Sequence, residues 1–272
     1  DQEALAIARV NNGVDGRRIV FTGQTCNFAG GFGTADFPYI IATAEQLANI
    51  SNHYDTYNYY KVADGVTSLD LTGVGNLKLN GSFDGNNVKL VNLTTALFQR
   101  VGYQNANETI KISNLEATMN VNDGSALVRN IFNSGKTTFE NVTLHGYVEG
   151  QWNMGSFFNY GTANYDDAGA DYTVEFINSK SDITLVCTSG NVAAGMLGHS
   201  YQGSGHVFTM IMDDNSGYTG TIYTTTGKGN MYMAAGSSNT FVLNGEEIGR
   251  AAAYANAVKL SVVKPVAGDT VT

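Results

Sequence analysis

The feature that most constrains this chain is a repeat. Five segments end in the same way, with small or apolar residues running into a polar turn: Thr95-Ala96-Leu97-Phe98-Gln99, Ala126-Leu127-Val128-Arg129-Asn130, Gly155-Ser156-Phe157-Phe158-Asn159, Gly195-Met196-Leu197-Gly198-His199 and Asn230-Met231-Tyr232-Met233-Ala234. Taking Phe98, Val128, Phe157, Leu197 and Tyr232 as equivalent gives steps of 30, 29, 40 and 35 residues. The long step holds Thr162 to Tyr172, a polar stretch that reads as a loop insertion. A fixed period of this length marks stacked units, each leaning on its neighbours.

The upstream halves match as well. Ile110-Lys111-Ile112-Ser113-Asn114-Leu115 answers to Thr137-Thr138-Phe139-Glu140-Asn141-Val142 and to Thr173-Val174-Glu175-Phe176-Ile177-Asn178. A second alternating run follows each, at 116–121, 143–148 and 181–186. Alternation at period two, rich in Val, Ile, Phe and Thr, specifies half-buried strands. Asn and Gly punctuate the runs, and both tolerate the positive φ of tight corners. The expected fold is all-β: a solenoid of parallel strands in coils of roughly 30 residues, with an apolar column inside. A β-sandwich also has short strands and turn signals, and stays open as the alternative.

The two ends differ from the middle. Thr43-Ala44-Glu45-Gln46 has the form of a capping box, and Leu47 and Ile50 then share one face. A helix over 44–53 would cover the open edge of the first coil. Residues 1–10 suit a second short helix and 19–22 a strand. Asn244-Gly245 predicts a hairpin turn, and 259–263 a last strand. The tail from Gly268 reads as continuing into a further domain. The expected division is an N-terminal extension (1–36), a capping-helix region (37–60), the solenoid (61–245) and a C-terminal hairpin and tail (246–272), in one structural domain.

Composition excludes some functions. A net charge of −9 and only 15 basic residues, scattered along the chain, argue against nucleic acid as a partner. No apolar run reaches the ~18–20 residues of a membrane span. Cys26 and Cys187 match no metal-ligand spacing; one long-range disulfide and two buried thiols both remain open.

The front of the chain resembles a known family. Gly33-Thr34-Ala35-Asp36-Phe37-Pro38-Tyr39-Ile40-Ile41, then Thr43-Ala44-Glu45-Gln46-Leu47, is similar to the opening of bacterial surface proteins with GLUG-type repeats. Tyr59-Tyr60-Lys61-Val62 and Ser68-Leu69-Asp70-Leu71-Thr72-Gly73 stand where those proteins carry a strand pair. Leu79-Asn80-Gly81-Ser82-Phe83-Asp84-Gly85-Asn86-Asn87-Val88 and Ala96-Leu97-Phe98-Gln99-Arg100-Val101 stand in place of the motifs that follow. The likeness is specific over 33–101 and only a pattern over 102–245, where Ala126 and Arg129 depart from it. It implies a right-handed parallel β-helix of the pectin-lyase-like superfamily on a secreted or cell-surface bacterial protein. Such repeats also accompany a zinc peptidase that cleaves immunoglobulin A and carries a His-Glu-x-x-His helix. None of the four histidines here, His53, His145, His199 and His206, is followed by Glu.

Candidate chemistry is sparse, and no catalytic set is assigned. Arg100 and Arg129, 29 residues apart, would fall on adjacent coils, where an aligned pair repels unless an anion lies between. Asp64, Asp70 and Asp84 offer carboxylates for glycoside hydrolysis, although turn and outward positions already account for them. The inserted loop is the richest segment. Asp166, Asp167 and Asp171 are hard oxygen ligands suited to calcium, the one cofactor the chain suggests. Tyr165 and Tyr172, with Trp152 one coil earlier, offer rings on which a sugar can stack. Asp213-Asp214 and the pair His199 and His206 are weaker metal candidates. The leading expectation is a non-enzymatic, extracellular, adhesin-like module that binds a glycan or a host surface protein. A carbohydrate-active lyase or hydrolase on the same scaffold is the alternative, and a structural stalk the third.

Overall fold

The computed structural model describes residues 27–103, 108–132, 135–151, 154–161, 171–189, 193–200, 205–236, 240–248 and 253–260. Strands dominate, and the one α-helix among the described residues spans Ala44–Ala48. Two sheets carry the chain. The smaller has six strands in the order Met233–Gly236, Leu197–Ser200, Phe158–Gly161, Val128–Ile131, Phe98–Val101 and Leu77–Leu79. The larger has fifteen, with a main path from Tyr39–Ile41 through Asn58–Val62, Gly81–Leu93, Thr109–Val121, Lys136–Gly150, Tyr172–Ile177 and Val207–Met212 to the hairpin Thr240–Leu243 and Glu246–Glu247.

Neighbouring strands are parallel throughout both sheets except in that closing hairpin. An antiparallel sandwich does not pair this way. In the small sheet Phe98 pairs with Val128, Phe158, Leu197 and Met233 in turn, at steps of 30, 30, 39 and 36 residues. In the large sheet Phe83, Ile112, Phe139, Phe176 and Met212 form the corresponding row.

These registers correct the sequence alignment at three places. Phe158, not Phe157, is the partner of Val128, and Met233, not Tyr232, is the partner of Leu197. The third upstream run starts at Val174, which pairs with Thr137, rather than at Thr173. Phe157 and Phe158 are both fully buried, so burial pattern alone leaves their order undetermined. A strand spans Ala257–Lys259, overlapping the one read at 259–263, of which 261–263 lie outside the described residues, and the insertion ends before Tyr172, which opens a strand. The elements read at 1–10 and 19–22 lie outside the described residues.

Inward residues meet like residues on the next strand. Phe139 stacks on Phe176 with centroids 5.3 Å apart and planes 9° apart, and Phe157 meets both edge-on from across the core. Tyr172, Phe208 and Phe241 form a second row at 5.8 Å spacing. Such contacts add roughly 0.5–1.5 kcal/mol per pair beyond the area they bury.

The corners are held by asparagines. Asn86, Asn114, Asn141 and Asn178 all take φ between 47° and 54°, the left-handed region that Asn tolerates better than other side-chain-bearing residues. Their amides form a ladder: Asn114 donates to Asp84 at 2.9 Å, Asn141 to Asn114 at 2.9 Å, and Asn178 to Asn141 at 2.8 Å. The Asp213 carboxylate ends it by accepting from the Asn178 backbone N–H. A residue type chosen for backbone geometry thus also joins consecutive turns.

The leading edge of each sheet is closed. The Thr43 hydroxyl accepts from Gln46 N–H at 3.2 Å, and the Gln46 side chain accepts from Ala42 N–H at 2.7 Å. Leu47 and Ile50 are fully buried beneath the helix and the 3-10 turn Asn49–His53. The Ser51 hydroxyl of that turn accepts from Lys78 N–H at 2.9 Å, satisfying a donor on the outer edge of the small sheet. Gly30 bridges Ile40 antiparallel on the outer edge of the large sheet. Edges covered in this way do not template intermolecular pairing.

Candidate functional site

The acidic residues considered for hydrolysis are structural. Asp84 accepts from Asn86 N–H and the Asn114 amide, at 2.8 and 2.9 Å. Asp64 accepts from the Asn86 amide at 2.8 Å, a bond that with Lys61 lowers its pKa. Asp70 accepts from the Thr72 hydroxyl at 2.7 Å, which with Thr72 N–H holds its carboxyl below the usual range. Each is tied to a turn or to the ladder.

The loop residues fare differently. Trp152, Tyr165, Asp166 and Asp167 lie outside the described residues. Tyr172 is 1% exposed, its ring against Phe208 and its hydroxyl towards Thr137, and burial raises its pKa steeply. Its ring belongs to the core and is not available to a sugar, contrary to the sequence expectation; the alternation of the strand it opens turns it inward. Asp171 accepts from Val207 N–H at 2.9 Å and lies 3.5 Å from His206, so it anchors the start of the next strand. Among the described residues no group of three His, Cys, Asp or Glu side chains is arranged to hold a metal ion. The buried Cys187 thiol donates to the Gln151 carbonyl at 3.1 Å; Cys26 lies outside the described residues.

The two arginines are not aligned. Arg100 pairs in register with Asn130, which places Arg129 opposite Gln99. Arg100 lies over the Phe132 ring at 4.0 Å. Arg129 instead lines a cleft of about 320 Å³ that the sequence did not reveal. The small sheet contributes Arg129, Asn159 and Tyr160; the turns that follow Thr109–Val121 and Lys136–Gly150 contribute Asp123, Ser125 and Gln151. Its volume is at the low end of small-molecule sites.

Local chemistry explains how the cleft is held open. Asn159, 3% exposed, accepts from Ala126 N–H at 2.6 Å and donates to the Gly124 carbonyl at 2.7 Å, fixing the upper turn. Asp123 accepts from Ser125 N–H and the Thr95 hydroxyl. The two turns touch through glycine: a Cβ at Gly150 would lie 2.4 Å from Gly124 Cα. Two groups that line the cleft have no partner among the described residues. Arg129 has no ion pair or hydrogen bond, and the Ser125 hydroxyl is buried with no hydrogen-bond partner. An orphaned buried hydroxyl costs about 1–3 kcal/mol.

One further polar cluster lies on the large sheet. His145 Nδ1 is 2.9 Å from Asp182, and its Nε2 is 4.0 Å from Glu116, which itself pairs with Lys89 at 3.1 Å. No helix among the described residues is long and apolar enough to cross a membrane.

Comparison with known proteins yields one informative likeness. A crystal structure from Bacteroides ovatus, described as a "putative immunoglobulin A1 protease", matches over 86% of this chain and 85% of its own, with a TM-score of 0.50 and 15% identity. At that identity the two share a fold and nothing more is implied. No family model matches the sequence. No curated protein matches it either.

Proposed function

We propose that this chain is an extracellular or cell-surface binding module of the GLUG-repeat kind, built as a right-handed parallel β-helix, and that it binds glycan at the cleft beside Arg129. The parallel rows with steps near 30 residues, the stacked core rings and the asparagine ladder support the β-helix. The observation that carries the binding role is the cleft: Arg129, which has no ion pair among the described residues, lines with Tyr160, Gln151 and Asn159 a concavity with room for a sugar-sized ligand. Trp152 follows Gln151 of the cleft wall directly in sequence. A glycan array tests the reading. The wild-type chain is expected to bind a defined subset of glycans, and Tyr160→Ala and Trp152→Ala each to weaken it. Absence of binding to every glycan overturns it.

A carbohydrate-active enzyme on the same scaffold is the second reading, favoured by His145 between Asp182 and Glu116. Its test is the release of reducing or unsaturated ends from polysaccharides, abolished by His145→Ala. The peptidase named for the structural neighbour is not proposed, because the sequence has no His-Glu-x-x-His.

A further inference from the structure

The two sheets differ in how they present charge. Of the six lysines on the strands of the large sheet, Lys61, Lys89, Lys111 and Lys136 pair with Asp64, Glu116, Glu140 and Glu175, and Lys180 and Lys259 have no carboxylate partner among the described residues. The six strands of the small sheet contain no Asp or Glu, although the chain has 24. They carry Lys78, Arg100 and Arg129, and among the described residues none of the three has a carboxylate partner. Lys78, Arg100, Asn130 and Tyr160 are register partners on four successive strands, and Arg129 directly precedes Asn130. Neighbouring strands are about 4.8 Å apart, so the cations form a strip running across the strands and into the cleft.

Aromatic groups lie along the same strip. Lys78 lies over Tyr54 at 5.9 Å and Arg100 over Phe132 at 4.0 Å. Tyr103, 37% exposed, packs edge-on against Tyr54 at 5.2 Å. Lys78 and Arg100 held over rings, on strands without Asp or Glu in an otherwise acidic protein, are complementary to an anionic chain with apolar sugar faces.

We infer that the small sheet binds a linear anionic polysaccharide laid across its strands, with the acid groups meeting Lys78, Arg100 and Arg129 and one sugar unit seated in the cleft. This rests on the glycan-binding reading and names the ligand class. A carboxylate and a sulfate present the same chemistry to these side chains. Lys78 and Arg100 on adjacent strands, each over a ring, and a cleft lined by Arg129, Tyr160, Asn159, Gln151 and the single carboxylate Asp123 favour a polysaccharide over an acidic peptide.

The test is binding of the full chain to immobilised hyaluronan and polygalacturonate (carboxylated), heparin and chondroitin sulfate (sulfated), and dextran (neutral), across a salt series, with poly-glutamate as competitor. The acidic polymers are expected to bind and to weaken as salt rises. Lys78→Gln/Arg100→Gln/Arg129→Gln is expected to lose about tenfold or more in affinity at low salt, and Lys111→Gln to lose none. Lys78→Gln/Arg129→Gln, which leaves Arg100 on Phe132, is expected to lose part of it with the thermal midpoint unchanged. Which acidic polymers bind separates carboxylate from sulfate. Equal binding to dextran, or full affinity in the triple variant, overturns the inference while glycan binding stands. Binding to none of the polysaccharides, with a positive glycan array, also overturns it. A negative array as well removes the glycan reading itself. Stronger binding to poly-glutamate than to any polysaccharide overturns the choice of occupant.

Discussion

Replacing Asn141 by Ala removes the middle rung of the amide ladder. Two hydrogen bonds go, the 2.9 Å bond to Asn114 and the 2.8 Å bond from Asn178, each with a net value of about 0.5–1.5 kcal/mol. The backbone at φ 54° must also accommodate an alanine, at about 1–2 kcal/mol, of which asparagine pays less. The ladder is solvent-exposed, so the orphaned amides of Asn114 and Asn178 recover water, and the lower half of each range applies. The expected loss is about 2–3 kcal/mol, a fall of roughly 5–10 °C in midpoint for a chain this size. Asn141→Gly keeps the backbone unstrained, and is expected to fall about 1 kcal/mol short of the alanine loss. Thermal and urea melts followed by circular dichroism measure both. An Asn141→Ala loss below about 0.5 kcal/mol, or a glycine variant less stable than the alanine one, refutes the reasoning.

Phe139→Ala opens a cavity between Phe157 and Phe176 and is expected to cost about 3–5 kcal/mol by urea melt, whereas Phe139→Leu should cost clearly less. Thr43→Ala removes the helix N-cap, with an expected loss of about 1 kcal/mol; Ser51→Ala exposes the small-sheet edge, and should raise aggregation in light scattering more than it lowers the melting midpoint. The Asp213 carboxyl is held below its ordinary range, chiefly by the Ser216 hydroxyl and further by backbone N–H groups, Asn178's among them. Its folded value therefore lies below its unfolded one, so its contribution is present above about pH 4 and is lost as pH falls through the folded value. Asp213→Asn should lower stability at neutral pH slightly and flatten the acid limb; an unchanged acid limb counts against the assignment.

Local chemistry was legible in the sequence because it depends on few residues. Thr43 and Gln46 sit where a cap requires them, and Asn244-Gly245 turns the closing hairpin with φ of 49° and 87°. The pairing of 110–115 with 137–142 followed from alternation, since Ile112 and Phe139 point inward while Lys111 and Thr138 do not. Alternation fails where both neighbours are buried, as at Phe157 and Phe158, and the register slipped there by one. Tyr172 misled for a related reason: an aromatic bordering a polar loop reads as a surface ring until its strand is placed.

The cleft and the charge strip required three dimensions. Asp123, Gln151 and Tyr160 come from three separate segments, and only the register of the small sheet brings Lys78 beside Arg100, with Arg129 one position off that row. Arg129 had been visible as an unusual residue, but its distance from Arg100 suggested an aligned pair that the 30-residue step does not make. Nothing in the sequence marks the orphaned Ser125 hydroxyl, because satisfaction of a polar group is a property of its surroundings.

The most direct test of the stacked arrangement is disulfide mapping of register-paired cysteines in a Cys26→Ser background. Glu116 and Thr143 are direct partners on adjacent parallel strands, about 4.8 Å apart at Cα, within the span a disulfide bridges. Glu116→Cys/Thr143→Cys should cross-link under mild oxidation, with the bond located by mass spectrometry. Glu116→Cys/His145→Cys, offset by two residues along the strand, should not. Cross-linking of the offset pair with none in the direct pair would contradict the register on which the ladder, the cleft and the charge strip all depend.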